Sequence, residues 1–249
     1  MNQQIELFLL FLPLIAFLYS SVGHGGASAY LALMAILNFA PDTMKPLALM
    51  LNMGVSLVAF ISFYSKQAFS WLLFLTLIGA SIPCAFLGGR FKIDPQVYRI
   101  ALGVLLVVPA LRLGYQYKKP ESPIQPFTTI PALLIGGSIG FLSGLLGIGG
   151  GILLSPVLFL LRWSTLREIA GMSALFIFVN SLAGLLGQYS AWGKFFQTDQ
   201  PLPIVWMLVL AIAGGLSGSL MGSRKLNTPR MKLALSVVLL LASYKLIVS

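Results

Sequence analysis

Between Ser70 and Gly89 the chain reads SWLLFLTLIGASIPCAFLGG, with no charged residue in 20 positions. A helix of that length crosses the hydrocarbon core of a bilayer, which takes roughly 20 apolar residues. Further apolar runs fall at 5–22, 26–39, 46–64, 96–113, 130–147, 149–161, 168–192, 203–222 and 231–248. So many runs leave little polar chain from which to build a water-soluble surface. Only 9% of the 249 residues are charged, against roughly 25% in a soluble domain. The runs are continuous rather than alternating, which excludes a transmembrane barrel. The first run lacks a basic leader and carries Glu6, so it reads as a membrane segment rather than a cleaved signal. We therefore expect an all-α polytopic membrane protein with 8–10 helical membrane segments, integral to the plasma membrane of a bacterium or archaeon (the inner membrane).

Two runs, 26–39 and 149–161, are too short to cross, and each follows a glycine cluster. The first cluster is SSVGHGG from Ser20; the second is LLGIGGG from Leu145. Glycines at consecutive and alternate positions share no helix face, so close packing does not explain them. They loosen the backbone and free N–H groups that hydrocarbon cannot satisfy. A helix restarting at Gly26 or Gly150 also presents the positive end of its dipole. Free amides and a helix start together favour an anion. These segments are expected to be broken or re-entrant helices. Gly136, Gly140 and Gly144 differ, as do Gly214, Gly218 and Gly222. Their spacing of four puts each set on one helix face, as small-residue packing between membrane helices requires.

The chain looks duplicated. Gly23, Gly25 and Gly26 recur as Gly147, Gly149 and Gly150 at an offset of 124. TMKPLALM from Thr43 aligns with TLREIAGM from Thr165 at an offset of 122, and FLGGR ending at Arg90 with LMGSR ending at Arg224 at an offset of 134. The one long polar interval, YQYKKPESPIQPFTT, divides the chain into a first transmembrane repeat (1–114), a linker (115–129) and a second repeat (130–249). Duplicated halves with interrupted helices are the usual build of a secondary transporter. Counting basic residues splits them ten to six whether the chain crosses ten times or eight. The positive-inside rule thus leaves open whether the repeats are inverted or parallel.

Net charge is +10, yet the basic residues lie near the ends of apolar runs, where they meet lipid headgroups. The expected partners are the bilayer and a small anionic substrate, not nucleic acid; the sequence assigns no oligomeric state. One cysteine, Cys84, excludes an internal disulfide. Polar residues within the runs include Ser20, Ser21, His24, Ser28, Asn52, Ser56, Ser143, Ser155, Ser173, Asn180, Ser181 and Gln188. None of the six acids lies at a run centre, where a sodium or metal-cation carrier usually places carboxylates. Neutral donors without acids favour an anion. The candidate substrate-binding residues are Ser20, Ser21, Gly23, His24, Gly25, Gly26, Asn52 and Ser56 in the first half. In the second half they are Ser143, Gly147, Gly149, Gly150, Gly151, Ser173, Asn180 and Ser181. His24, the only histidine, is also the candidate proton-coupling residue, because imidazole titrates near pH 6.5. No metal site, cofactor or catalytic triad can be assembled from these spans, so an enzyme is not expected.

The motifs SSVGHGGAS, GFLSGLLGIGGGILLSPVL from Gly140 and AGMSALFIFVNSLAGLLGQY from Ala170, with the paired LGGR and MGSR ends, resemble the TauE/SafE family of sulfite exporters and toluene-sulfonate uptake permeases. The resemblance spans nearly the whole chain. It implies transport of sulfite, organosulfonates or related small anions, often coupled to protons. His24 departs from the pattern, standing where a hydrophobic residue is common. The reading that results is a secondary transporter of small sulfur-containing or carboxylate anions; the alternative is a passive anion channel.

Overall fold

The computed structural model describes residues 3–64, 69–91, 94–115, 123–189 and 203–224, with Ser236, Val237, Leu240, Ser243 and Tyr244 beyond them. Among these residues nine helices have described bounds and there is no strand; Ser236, Val237, Leu240, Ser243 and Tyr244 are helical as well. The nine are α1 (Gln3–Ser20), α2 (Ala27–Ile36), α3 (Pro41–Tyr64), α4 (Trp71–Arg90), α5 (Pro95–Tyr115), α6 (Thr129–Leu146), α7 (Gly151–Leu161), α8 (Leu166–Gly187) and α9 (Ile204–Arg224). Six of them, α1, α3, α4, α6, α8 and α9, are long and apolar enough to cross a membrane. The protein is an integral membrane protein built of helices. Residues 116–122 of the linker expected at 115–129, and most of the run 231–248, lie outside the described residues.

Helix ends follow local chemistry more closely than hydropathy. The run 46–64 begins after Lys45, whereas α3 begins at Pro41 and carries Asp42 in its first turn. Proline costs little at the first helical position, and an acid there faces the positive dipole end. Similarly α8 starts ahead of its run because Thr165 caps it. The Thr165 hydroxyl accepts from Glu168 N–H while the Glu168 carboxylate accepts from Thr165 N–H, a reciprocal capping box.

The helices pack mainly across the expected linker. α4 lies along α6, α1 along α9, and α3 along α8; α8 also meets α4, and α3 meets α9. The short helices stay with their neighbours, α2 on α3 and α7 on α8. α8 and α3 are the most enclosed of the long helices, and α1, α4, α6 and α9 leave most of their surface outward. Leu10, Leu72, Ile130 and Val205 on those outer helices are among the exposed large apolar side chains, as lipid contact requires.

The fourfold-spaced glycines set the helix separations. A Cβ on Gly136, Gly140 or Gly144 would overlap the carbonyl oxygens of Leu77, Ser81 and Ala85 on α4. On α9, Gly214, Gly218 and Gly222 meet the carbonyls of Pro13, Phe17 and Ser21 in the same way. Backbone therefore touches backbone along both pairs, and dispersion contacts replace the hydrophobic drive that lipid removes.

Candidate functional site

Both glycine clusters lie where a helix stops and another starts. After α1 ends at Ser20, Gly23 turns left-handed at φ +78°, and Gly26 caps α2 at φ +97°. After α6, Gly147 (+74°), Gly149 (+71°) and Gly150 (+78°) are left-handed, and α7 begins at Gly151. Left-handed backbone is open to glycine and unfavourable for residues carrying a Cβ. The turns are closed locally: His24 N–H donates to the Tyr19 carbonyl, and Gly147 and Ile148 N–H both reach the Ser143 carbonyl. Among the described residues no carbonyl accepts from the amides of Gly25, Gly26, Gly149 or Gly150.

Each break abuts a central helix from the other part of the chain. Gly23 lies directly on Ala170 of α8, and a Cβ at Gly147 would stand 3.3 Å from Cα of Lys45 on α3. The breaks also meet each other through one side chain. A Cβ on Gly25 would overlap Oδ1 of Asn52, and one on Gly149 would overlap its Nδ2. That carboxamide, on α3 and 1% exposed, accepts from Ala27 N–H at the start of α2 (3.2 Å) and donates to Ser181 Oγ on α8 (3.1 Å).

A second polar chain crosses between the breaks beside it. His24 Nδ1 lies 3.0 Å from the Val22 carbonyl, and Nε2 lies 3.1 Å from Ser155 Oγ on α7. A carbonyl can only accept, so in the neutral ring Nδ1 carries the proton and Nε2 can accept from Ser155, whose single hydroxyl proton the Gly151 carbonyl also competes for. Ser155 in turn is 2.7 Å from Ser173 Oγ on α8 and 3.1 Å from the Gly151 carbonyl. Protonation would reverse the bond at Nε2, which would then donate to Ser155. His24 and Ser155 are half-buried, whereas Ser173 is fully enclosed.

The remaining candidates are placed differently. Ser20 donates to the Gly215 carbonyl on α9 (2.5 Å), Ser21 to Leu18 (2.7 Å) and Ser56 to Met53 (3.3 Å), each tying helix to backbone. Asn180 accepts from Ser81 on α4 (2.6 Å) and donates to the Phe176 carbonyl (2.9 Å), which commits its carboxamide to helix packing. Gly151 packs on Ile177, leaving no space for a Cβ. Ser143 is enclosed, its Oγ has no hydrogen-bond partner among the described residues, and its Cβ faces Gly150. Tyr30, absent from the sequence candidates, is its counterpart at the other break. Its enclosed hydroxyl is likewise without a partner, and it backs onto Gly26.

The structure thus brings together His24, Gly25, Asn52, Gly149, Ser173 and Ser181, and it adds Ser155. Ser155 lies one turn beyond Gly151 and so shares a face with the start of α7, a spacing visible in the sequence. Among the described residues no three His, Cys, Asp or Glu side chains cluster.

Comparison with known proteins bears on what such a chain does. No solved structure matches it. A probable membrane transporter protein of Sinorhizobium fredii is 34% identical over 237 residues, covering 94% of both chains. A probable membrane transporter protein of Bacillus subtilis is 23% identical and covers 92% of each. One from Methanocaldococcus jannaschii is 26% identical over 59% of this chain and 56% of its own. Residues 8–246 match the family described as "Sulfite exporter TauE/SafE". A helical bundle interrupted twice in its centre, matched to that family over almost its full length, is a membrane transporter and belongs to the sulfite exporter TauE/SafE family.

Proposed function

We propose that the protein is a secondary transporter of small oxyanions, sulfite and organosulfonates foremost, with the substrate held at the two helix breaks. The observation that carries this reading is the meeting of both breaks at the Asn52 carboxamide. Two half-helices start there, each with its positive dipole end and with backbone amides that no described carbonyl occupies. An anion at this position draws on Ala27 N–H, Ser181, Ser155 and Ser173 as neutral donors. Charge-assisted hydrogen bonds to such donors offset part of the anion's desolvation. Both halves supply groups to it, Ala27 from the first and the three serines from the second, so rocking one half against the other would expose the site to each side in turn.

His24 is the proton-coupling residue in this reading. With Nδ1–H held by Val22, a proton can enter only at Nε2, beside Ser155. The imidazolium would add a positive charge next to the anion, so proton and anion bind each other's loaded state more tightly.

The test is counterflow in proteoliposomes. Vesicles loaded with unlabelled sulfite should accumulate labelled sulfite from outside, with saturation, and uptake should respond to an imposed pH gradient. Flux without trans-stimulation would instead identify a passive anion channel. Failure of sulfite, methanesulfonate, thiosulfate and short carboxylates alike would remove the oxyanion reading.

A further inference from the structure

Asn52 stands where the proposed substrate would stand. Its Oδ1 takes the Ala27 amide in the first turn of α2, where the helix dipole is most positive. Its Nδ2 reaches Ser181, whose Oγ would itself lie 2.9 Å from a Cβ at Gly149. The carboxamide is pressed against both Gly25 and Gly149, so an oxyanion cannot share this space with it. The fit is also one-sided: a neutral amide oxygen is a weaker partner for a helix start than an ionised oxygen, whose hydrogen bonds are roughly twice as strong.

We infer that Asn52 is an internal stand-in for the transported anion. In the empty site its carboxamide satisfies the start of α2 and clasps α2 to α8. An arriving oxyanion exchanges for it at Ala27 N–H and Ser181. The inference rests on the reading of the breaks as the anion site. It adds a mechanical consequence, because one exchange releases both ends of the clasp. Ala27 belongs to the short helix after the first break and Ser181 to the central helix that packs on the second. Loading thus removes a tie between two elements that must move relative to each other. Such differential contact is what a ligand needs to shift a conformational equilibrium.

The exchange predicts that weakening the clasp helps the anion. Binding of labelled sulfite to the purified full-length protein at pH 7 should tighten at least threefold in Asn52→Ala, which removes the stand-in and leaves Ala27 N–H and Ser181 to the anion. Asn52→Asp keeps the shape and carries its own anion; Ser181 can turn its hydroxyl to donate to it. Sulfite should then bind at least tenfold more weakly. Unchanged or weaker binding in Asn52→Ala would show that the carboxamide does not compete with the anion and would overturn the exchange. Parent-like affinity in Asn52→Asp would overturn it too. Should Asn52→Ala fail to fold, Asn52→Asp decides alone, because it keeps the shape of the side chain between the breaks. A parent protein that binds neither sulfite nor methanesulfonate removes the anion reading itself. Parent binding with an untightened Asn52→Ala removes only this inference.

Discussion

Replacing Gly149 by alanine separates backbone strain from side-chain collision at the centre of the molecule. At φ +71° an alanine costs about 1–2 kcal/mol from its Cβ and carbonyl alone. The new methyl would also overlap Nδ2 of Asn52, with Ile177 Cγ2 and Ser181 Oγ each 2.9 Å away. Asn52 must then move, breaking its bonds to Ala27 and Ser181. Each buried polar group left unpaired costs about 1–3 kcal/mol. Together these amount to roughly 3–8 kcal/mol for one methyl group. Two controls bracket the effect. Gly147→Ala has the same handedness, φ +74°, but its Cβ meets only Lys45 at 3.3 Å, so it should show the backbone part alone. Gly79→Ala on α4 meets nothing within 4 Å and should be neutral or stabilising by up to about 1 kcal/mol. Equilibrium unfolding in mixed micelles measures all three. Combining Gly149→Ala with Asn52→Ala removes the group that is displaced, so the double variant should be about 1–3 kcal/mol less destabilised than the two singles added together. A Gly149→Ala cost no larger than that of Gly147→Ala, or strict additivity in the cycle, would refute the wedge.

Three further outcomes follow from named contacts. Asn180→Ala should destabilise the fold by about 1–3 kcal/mol, through loss of the Ser81 bond between α4 and α8, while sulfite affinity stays within about twofold; a tenfold loss in a binding titration would bring Asn180 into the site. His24→Gln keeps a donor and removes titration, so the dependence of transport on pH between about 5 and 8 should flatten, and a profile that overlays the parent's would make the histidine structural. Gly140→Leu drives a side chain into the Ser81 backbone and should abolish recovery of monodisperse protein, whereas Gly79→Leu, facing open space, should not; size-exclusion chromatography of the two decides it.

The amino-acid sequence by itself determined that this chain lies in a membrane, where its helices break and which glycines let helices touch. Each of these is a local matter. Hydropathy over some twenty residues sets a span, as at Trp71–Arg90. The clustered Gly23, Gly25 and Gly26 loosen the backbone locally, and Gly23 and Gly26 take the left-handed angles where α1 gives way to α2. A spacing of four puts Gly136, Gly140 and Gly144 on one face before any partner is known. Helix starts were less legible, because Pro41 and the Thr165 cap act within a turn and outweigh mean hydropathy. Only the tertiary structure decided which polar side chains share a purpose. Asn52 and Asn180 look alike in sequence, each in an apolar helix after a break. One is wedged between both breaks and bonded to Ser181; the other is spent on Ser81. Ser155 and His24 lie 131 residues apart yet are joined, while Ser56 bonds its own helix. A hydrogen bond needs partners within about 3 Å. That distance depends on the rotation and axial offset of each helix against its neighbour, which only the packed bundle fixes, as the glycine contacts do for α4 against α6 and for α1 against α9.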